Sequence, residues 1–128
     1  MTFLLDTQLL ICIPIDATYL GRAGRLTLGD PANTFLFSAA SLWEIAIKRA
    51  RFGGDFVYDP RVIRKQMIAN GYAELPVHGS HAVAVDSLPP IHKDPFDRLL
   101  IAQAIVEGIT LLTRDGTISK YPGPIRKI

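Results

Sequence analysis

The sequence predicts an α/β domain in three layers, with a central parallel sheet covered on both faces by helices. Three observations lead to it. Short apolar runs alternate along the chain with longer segments of helical character. The runs are apolar throughout instead of alternating apolar with polar, as strands buried on both faces are. The length of 128 residues and the 48% hydrophobic content suit one domain with one packed core.

Taken in order, Phe3–Leu5 reads as a strand ending at Asp6. Thr7–Ile13 follows as a short helix, stopped near Pro14 because proline lacks the N–H and clashes one turn back. A helix over roughly 17–28 is weakened by Gly21 and Gly24. Thr34–Phe37 reads as a buried strand. Leu42–Arg51 reads as a helix with Trp43, Ala46, Ile47 and Ala50 on one stripe, which assigns Trp43 to the core and not to a base-stacking platform. Glycines and Pro60 make Phe52–Pro60 a loop. Arg61–Ala69 is a basic amphipathic helix ended by Asn70-Gly71. Ala73–Val77 is a short strand, and Ser80–Leu88 is a modest helix closed by Pro89-Pro90. Pro95–Glu107 is the clearest helix: Asp94 caps it, Pro95 fits its first position and Gly108 ends it. Ile109–Thr113 is a strand leading to Asp115, and a last strand falls near Pro124–Ile128.

Bulk properties narrow the function. The longest apolar runs are too short to span a bilayer, and residues 1–5 lack the basic start and long apolar stretch of a signal peptide. A soluble, cytoplasmic protein is expected. Cys12 is the only cysteine, so an internal disulfide is excluded, and in the run LLICI it reads as a small buried hydrophobe. The formal charge is +2, from 14 basic and 12 acidic residues. Setting four acids aside as metal ligands leaves 8, and the balance against the 14 basic residues becomes +6. A basic body around an acidic spot suits a polyanion held near bound cations.

Four acids are the candidates. Asp6 and Asp115 each follow an apolar run, near the carboxyl end of a strand, where ligands bind in parallel sheets; each could instead simply start a turn. Asp97 shares a helical face with Leu100, Ile101, Ala104 and Gly108. A carboxylate on that stripe is costly unless a cation or strong donors compensate, although the first turn also lets it answer the helix dipole. Glu44 fits a capping box with Ser41 and can pair with Lys48, a structural reading; if the helix starts at Ser38, Glu44 falls in the second turn and the box fails. Several carboxylates together have one chemical use. Magnesium prefers oxygen ligands, and one or two ions can bridge a phosphate and activate water. Without ions, clustered carboxylates repel one another.

The segments LLDT (4–7), SLWEIAIK (41–48), LPVHGSHA (75–82), DPFDRLLIAQA (94–104) and LLTRD (111–115), with Tyr121-Pro122 after them, resemble the PIN domain family and, within it, VapC-type toxins of bacterial toxin–antitoxin pairs. The resemblance implies a three-layer α/β/α PIN-like fold and a magnesium-dependent endoribonuclease, with manganese as a possible substitute. It implies that water activated by the metal attacks the phosphorus in line, leaving 5′-phosphate and 3′-hydroxyl ends. The acids matching the family's are Asp6, Glu44, Asp97 and Asp115, acting as catalytic and metal-holding residues. Asp94 is a possible extra acid, and Thr7 resembles the hydroxyl residue that orients the first acid. An RNA substrate, a cognate antitoxin protein that blocks the site and a homodimer are further implications. Gln8 stands where many relatives carry histidine, and Ile13-Pro14-Ile15 where they continue into a tryptophan-rich helix. The alternative is a non-catalytic PIN-like module that binds RNA or a protein.

Other candidates are weaker. Lys48, Arg98 and Arg114 adjoin three of the acids, and each could hold an RNA phosphate or form a local ion pair. His78 and His81 have the spacing of some zinc pairs but lack further ligands nearby, which favours a surface or helix-start role. His92 sits in a proline-bounded loop; it could approach phosphate, but solvent exposure is the expectation. A receiver-type phospho-acceptor would want a lysine just after a late strand, and Arg114 stands there instead. The chain has no Walker or dinucleotide glycine motif.

Overall fold

A computed structural model describes residues 1–13, 20–55 and 57–128. Its centre is β1 (Thr2–Leu5), paired on one side with β2 (Thr34–Ser38) and on the other with β4 (Thr110–Thr113). With β3 (Ala73–Leu75) and β5 (Ile125–Lys127) at the edges, the order is β3-β2-β1-β4-β5, and every pairing is parallel. Helices α1 (Thr7–Cys12), α2 (Gly21–Gly29), α3 (Ala39–Phe52), α4 (Pro60–Ala69), α5 (Gly79–Ala84) and α6 (Pro95–Glu107) connect the strands. This is the three-layer α/β/α architecture predicted from the sequence.

The period-two geometry of a strand divides β1 between two cores. Phe3 and Leu5 join Leu9, Phe37, Ile45, Ile63 and Met67 on one face. Leu4 joins Leu100, Ile101, Ala104 and Leu111 on the other. All of these are buried, and each one larger than Ala104 contributes on the order of 2 kcal/mol.

The chain builds outward through β1, β2 and β3, then returns to lay β4 beside β1. Neighbouring crossovers thus depart to opposite sides between β1 and β4, which opens a crevice beyond their carboxyl ends. The Asp6 amide extends the pairing there, donating to the Leu112 carbonyl at 3.1 Å.

Helix α6 has the predicted ends. Asp94 Oδ1 accepts from the Phe96 amide at 2.8 Å and the Asp97 amide at 3.2 Å, Pro95 opens the first turn, and Gly108 closes the helix at φ 66°. Helix α3 starts three residues earlier than Leu42. Ser38 caps it, its hydroxyl accepting from the Ala40 amide at 3.0 Å, so the Ser41–Glu44 capping box does not form and Glu44 lies beyond the first turn. The stripe assigned to the core is also reversed. Trp43 is 63% exposed and Ile47 39%, while Ala40, Ser41, Glu44 and Ile45 are buried. Periodicity finds a stripe without saying which way it faces, and here the inward stripe is the more polar one.

The segment read as Ser80–Leu88 divides into α5 and a tight turn at Val85–Ser87. The helix read over roughly 17–28 corresponds to α2, and its first positions, with Pro14, lie outside the described residues. Cys12 is free and only partly buried. Among the described residues, no helix is long and apolar enough to cross a membrane.

Candidate active site beyond β1 and β4

Asp6 is the first residue past β1 and the N-cap of α1. Its Oδ1 accepts from the Gln8 amide at 2.7 Å and the Leu9 amide at 3.3 Å, and its Oδ2 accepts from the Thr113 hydroxyl. The register that sets Leu5 against Leu112 brings Thr113, the last residue of β4, beside Asp6. The hydroxyl that orients Asp6 is therefore Thr113's. Thr7, expected in that role, donates to Ser41 Oγ at 2.9 Å and ties α1 to α3.

Asp115 follows β4 by two residues. Its Oδ1 accepts from the amides of Thr117 (2.7 Å) and Ile118 (3.2 Å), and its own amide donates to Thr113 Oγ1 at 3.0 Å. The turn-starting role considered for this residue is present, and a site role uses the remainder of the carboxylate. Asp97 stands at the N-terminal end of the buried stripe of Leu100, Ile101 and Ala104 on α6. Packing of α3 on α6, with Trp43 edge-on to Phe96 at 5.2 Å, brings Glu44 to the same place.

The electrostatics register this crowding. Burial, followed by the charges of Asp94, Glu44, Asp6 and Asp115, pushes the Asp97 carboxyl up to about 7. Burial also raises Asp6 and Asp115 adds to the effect, against the lowering by its hydrogen bonds to Thr113, Leu9 and Gln8. Glu44 is buried, with Oε2 held by Lys48 Nζ at 2.9 Å and Oε1 without a partner among the described residues. An orphaned buried carboxylate oxygen costs on the order of 1–3 kcal/mol or more unless a cation or donor reaches it. Hard oxygen donors, mutual repulsion and one unmatched oxygen fit a divalent cation such as magnesium or manganese.

The three neighbouring basic residues are not alike. Lys48 is the ion-pair partner of Glu44. Arg98 is turned away from a phosphate role: Nη1 donates to the Pro89 carbonyl and the Tyr121 hydroxyl, and Nη2 to the carbonyls of Val85 and Leu88. The charge of Arg114 reaches the Cys12 thiol, whose pKa burial raises and Arg114 lowers.

Two histidine expectations change. His92 is not a solvent-exposed loop residue: its side chain is 25% exposed, and Nε2 lies 3.0 Å from Asp97 Oδ2. One ligand-type atom each from His92, Asp97 and Asp115 lie within 4.8 Å of one another. His81 has the helix-start role but is fully buried: its Nδ1 accepts from the His78 amide at 3.0 Å, and its Nε2 meets Glu107 Oε1 at 2.8 Å. Sequence reasoning weighed His92 but set it in solvent, and it passed over Thr113, which bonds Asp6. The strand-end hydroxyl at 113, opposite the position after Leu5, was a readable signal once the strand order was known.

The chain belongs to the PIN domain family, which it matches over residues 4–124. Its fold is similar to a chain of VapBC2 from Rickettsia felis bound to a DNA fragment from their promoter: 16% identity, covering 99% of this chain and 98% of that one, with a TM-score of 0.70. It is also similar to a chain of DNA-bound VapBC from Salmonella typhimurium (15% identity, 99% and 98% covered, TM-score 0.61). A third likeness is to VapBC-1 from nontypeable Haemophilus influenzae (12% identity, 99% and 98% covered, TM-score 0.61). At these identities the likeness is one of fold. No curated protein sequence matches the chain.

Proposed function

We propose that this chain is a metal-dependent endoribonuclease and the toxin of a toxin–antitoxin pair. The observation that carries the reading is that Glu44, Asp6 and Asp115, from three other stretches of sequence, all press their charge on Asp97 beyond the carboxyl ends of β1 and β4. Membership of the PIN domain family supports a nuclease. The VapBC complexes among its structural neighbours support an antitoxin partner, which in this reading blocks the site.

In this reading Asp6, Glu44 and Asp97 hold magnesium, with manganese as a substitute, and Asp115 completes the acidic site. Asp94 adds charge while capping α6. The bound ion supplies charge neutralisation at the phosphate and a lowered pKa for water. The chain's own residues supply the geometry. Thr113 and two amides fix the Asp6 carboxylate, Lys48 steadies Glu44, and the crevice presents the scissile phosphate to the acids. Arg114, next in sequence to Asp115, is a candidate for a phosphate contact. The substrate is exposed single-stranded RNA, and the working form is a homodimer.

Incubation of the purified chain with total RNA, with and without magnesium, tests the proposal. Metal-dependent cleavage giving 5′-phosphate ends is expected, and Asp6→Asn should remove it while the fold persists. RNA binding with no cleavage at any magnesium concentration would instead identify a non-catalytic PIN module.

A further inference from the structure

His92 lies in the connection between the turn at Val85–Ser87 and α6, and that connection is tied down. The His92 amide donates to the Tyr121 hydroxyl at 2.6 Å, and that hydroxyl in turn donates to the His92 carbonyl at 3.3 Å. Tyr121 is buried. Arg98, reaching from α6, grips the carbonyls of Val85, Leu88 and Pro89 and the same Tyr121 hydroxyl. A guanidinium spent on holding three loop carbonyls fixes what the loop carries, and the loop carries the His92 ring.

The ring's two nitrogens are not equivalent. Nδ1 faces the Asp94 amide at 3.2 Å. A backbone amide only donates, so Nδ1 is the unprotonated nitrogen and the proton of the neutral ring sits on Nε2. Nε2 therefore presents an N–H to Asp97 Oδ2 at 3.0 Å. The three-atom grouping of His92, Asp97 and Asp115 has metal-site spacing, yet this tautomer argues against His92 as a ligand. A ligating Nε2 needs its lone pair, which moves the proton to Nδ1 and sets it against the Asp94 N–H. Metal-ligating histidines have the reverse arrangement, with the second nitrogen donating to an acceptor.

Resting on the ribonuclease reading above, we propose that His92 is a hydrogen-bond donor to the RNA phosphate at this site and not a metal ligand. Its Nε2–H rests on Asp97 in the free protein and turns to a non-bridging phosphate oxygen when RNA enters. The proposal adds to the acidic site a side chain that contacts substrate and is positioned by Tyr121 and Arg98.

Two measurements test it without reading cleavage. Mn2+ affinity is measured by titration calorimetry, and binding of a short single-stranded RNA is measured with Ca2+ replacing magnesium. His92→Ala is expected to keep Mn2+ affinity within about threefold while RNA affinity falls about tenfold. His92→Gln, which restores an N–H donor, should recover part of the RNA affinity. Electron spin-echo spectroscopy of Mn2+ on the wild-type chain, which needs no variant, should show no directly coordinated imidazole nitrogen. An imidazole coupling, a Mn2+ affinity loss of about tenfold or more in His92→Ala, or unchanged RNA affinity in that variant overturns the proposal and leaves the ribonuclease reading standing. A wild-type chain that binds neither Mn2+ nor RNA overturns both.

Discussion

At the C-terminal end of α6, His81 accepts a backbone N–H on Nδ1 at 3.0 Å and sets Nε2 2.8 Å from Glu107. At the N-terminal end, His92 accepts a backbone N–H on Nδ1 at 3.2 Å and sets Nε2 3.0 Å from Asp97. The two carboxylates are about 15 Å apart along the helix. His81 is fully buried, and its ring fastens α5 to α6 beside one carboxylate. His92 is 25% exposed, and its carboxylate stands among Asp6, Glu44, Asp94 and Asp115. A backbone N–H on Nδ1 and a carboxylate on Nε2 set the tautomer in both places, with Gln103 Nε2 as a further neighbour of His81 Nδ1 at 3.4 Å. The charge gathered around the carboxylate makes one end a fastening and the other a candidate site.

The largest expected contrast is in cleavage. Asp97→Asn keeps shape and removes charge, and should lower RNA cleavage by about 10²-fold or more with an unchanged far-UV circular dichroism spectrum. Glu107→Gln should leave cleavage intact, so equal losses in the two variants would erase the distinction. Stability should divide the opposite way. His81→Ala empties a buried ring site and strands the His78 amide, costing about 2–4 kcal/mol in urea unfolding. His92→Ala should cost about 1 kcal/mol or less; a larger loss there than at His81 would contradict the assignment.

The acidic end also predicts a pH dependence. Asp97 titrates near 7 in the folded chain against an ordinary value of 3.8. The metal-free folded state therefore binds this proton more tightly than the unfolded state does. Its contribution to stability is full below about pH 4 and is lost as pH rises through about 7. The gain in Tm from Asp97→Asn should consequently be larger at about pH 8 than at about pH 5, and a gain independent of pH would argue against the crowding. The smallest effect is expected at Trp43. As an exposed residue, Trp43→Ala should change stability by only about 0.5 kcal/mol, against about 3–5 for a core tryptophan.

Legibility in the sequence followed the range of the physics. The ends of α6 were readable because Asp94, Pro95 and Gly108 act on their own neighbours. The parallel sheet was readable because strands covered on both faces must be apolar throughout. The direction of α3's stripes was not, since an inward Ser41 is favourable only once Thr7, distant in sequence, is brought opposite to bond it, and an inward Glu44 keeps an unmatched oxygen that only a cation or donor from elsewhere offsets. His92 was misjudged for a related reason: its loop looks solvent-exposed until the side chain of Arg98 folds back onto it and Tyr121, distant in sequence, bonds it as well. The grouping of Asp6 with Thr113 depended on β4 lying beside β1, which no local pattern states.

Titration of magnesium into the metal-free chain tests most directly whether Asp6, Glu44, Asp97 and Asp115 act as one site. The wild-type chain should bind the ion and gain stability, by about 2.7 kcal/mol at about 100 times the Kd. Asp6→Asn and Asp97→Asn should each lose that gain while remaining folded. Stabilisation of the same size in both variants, or none in the wild type, would contradict the account.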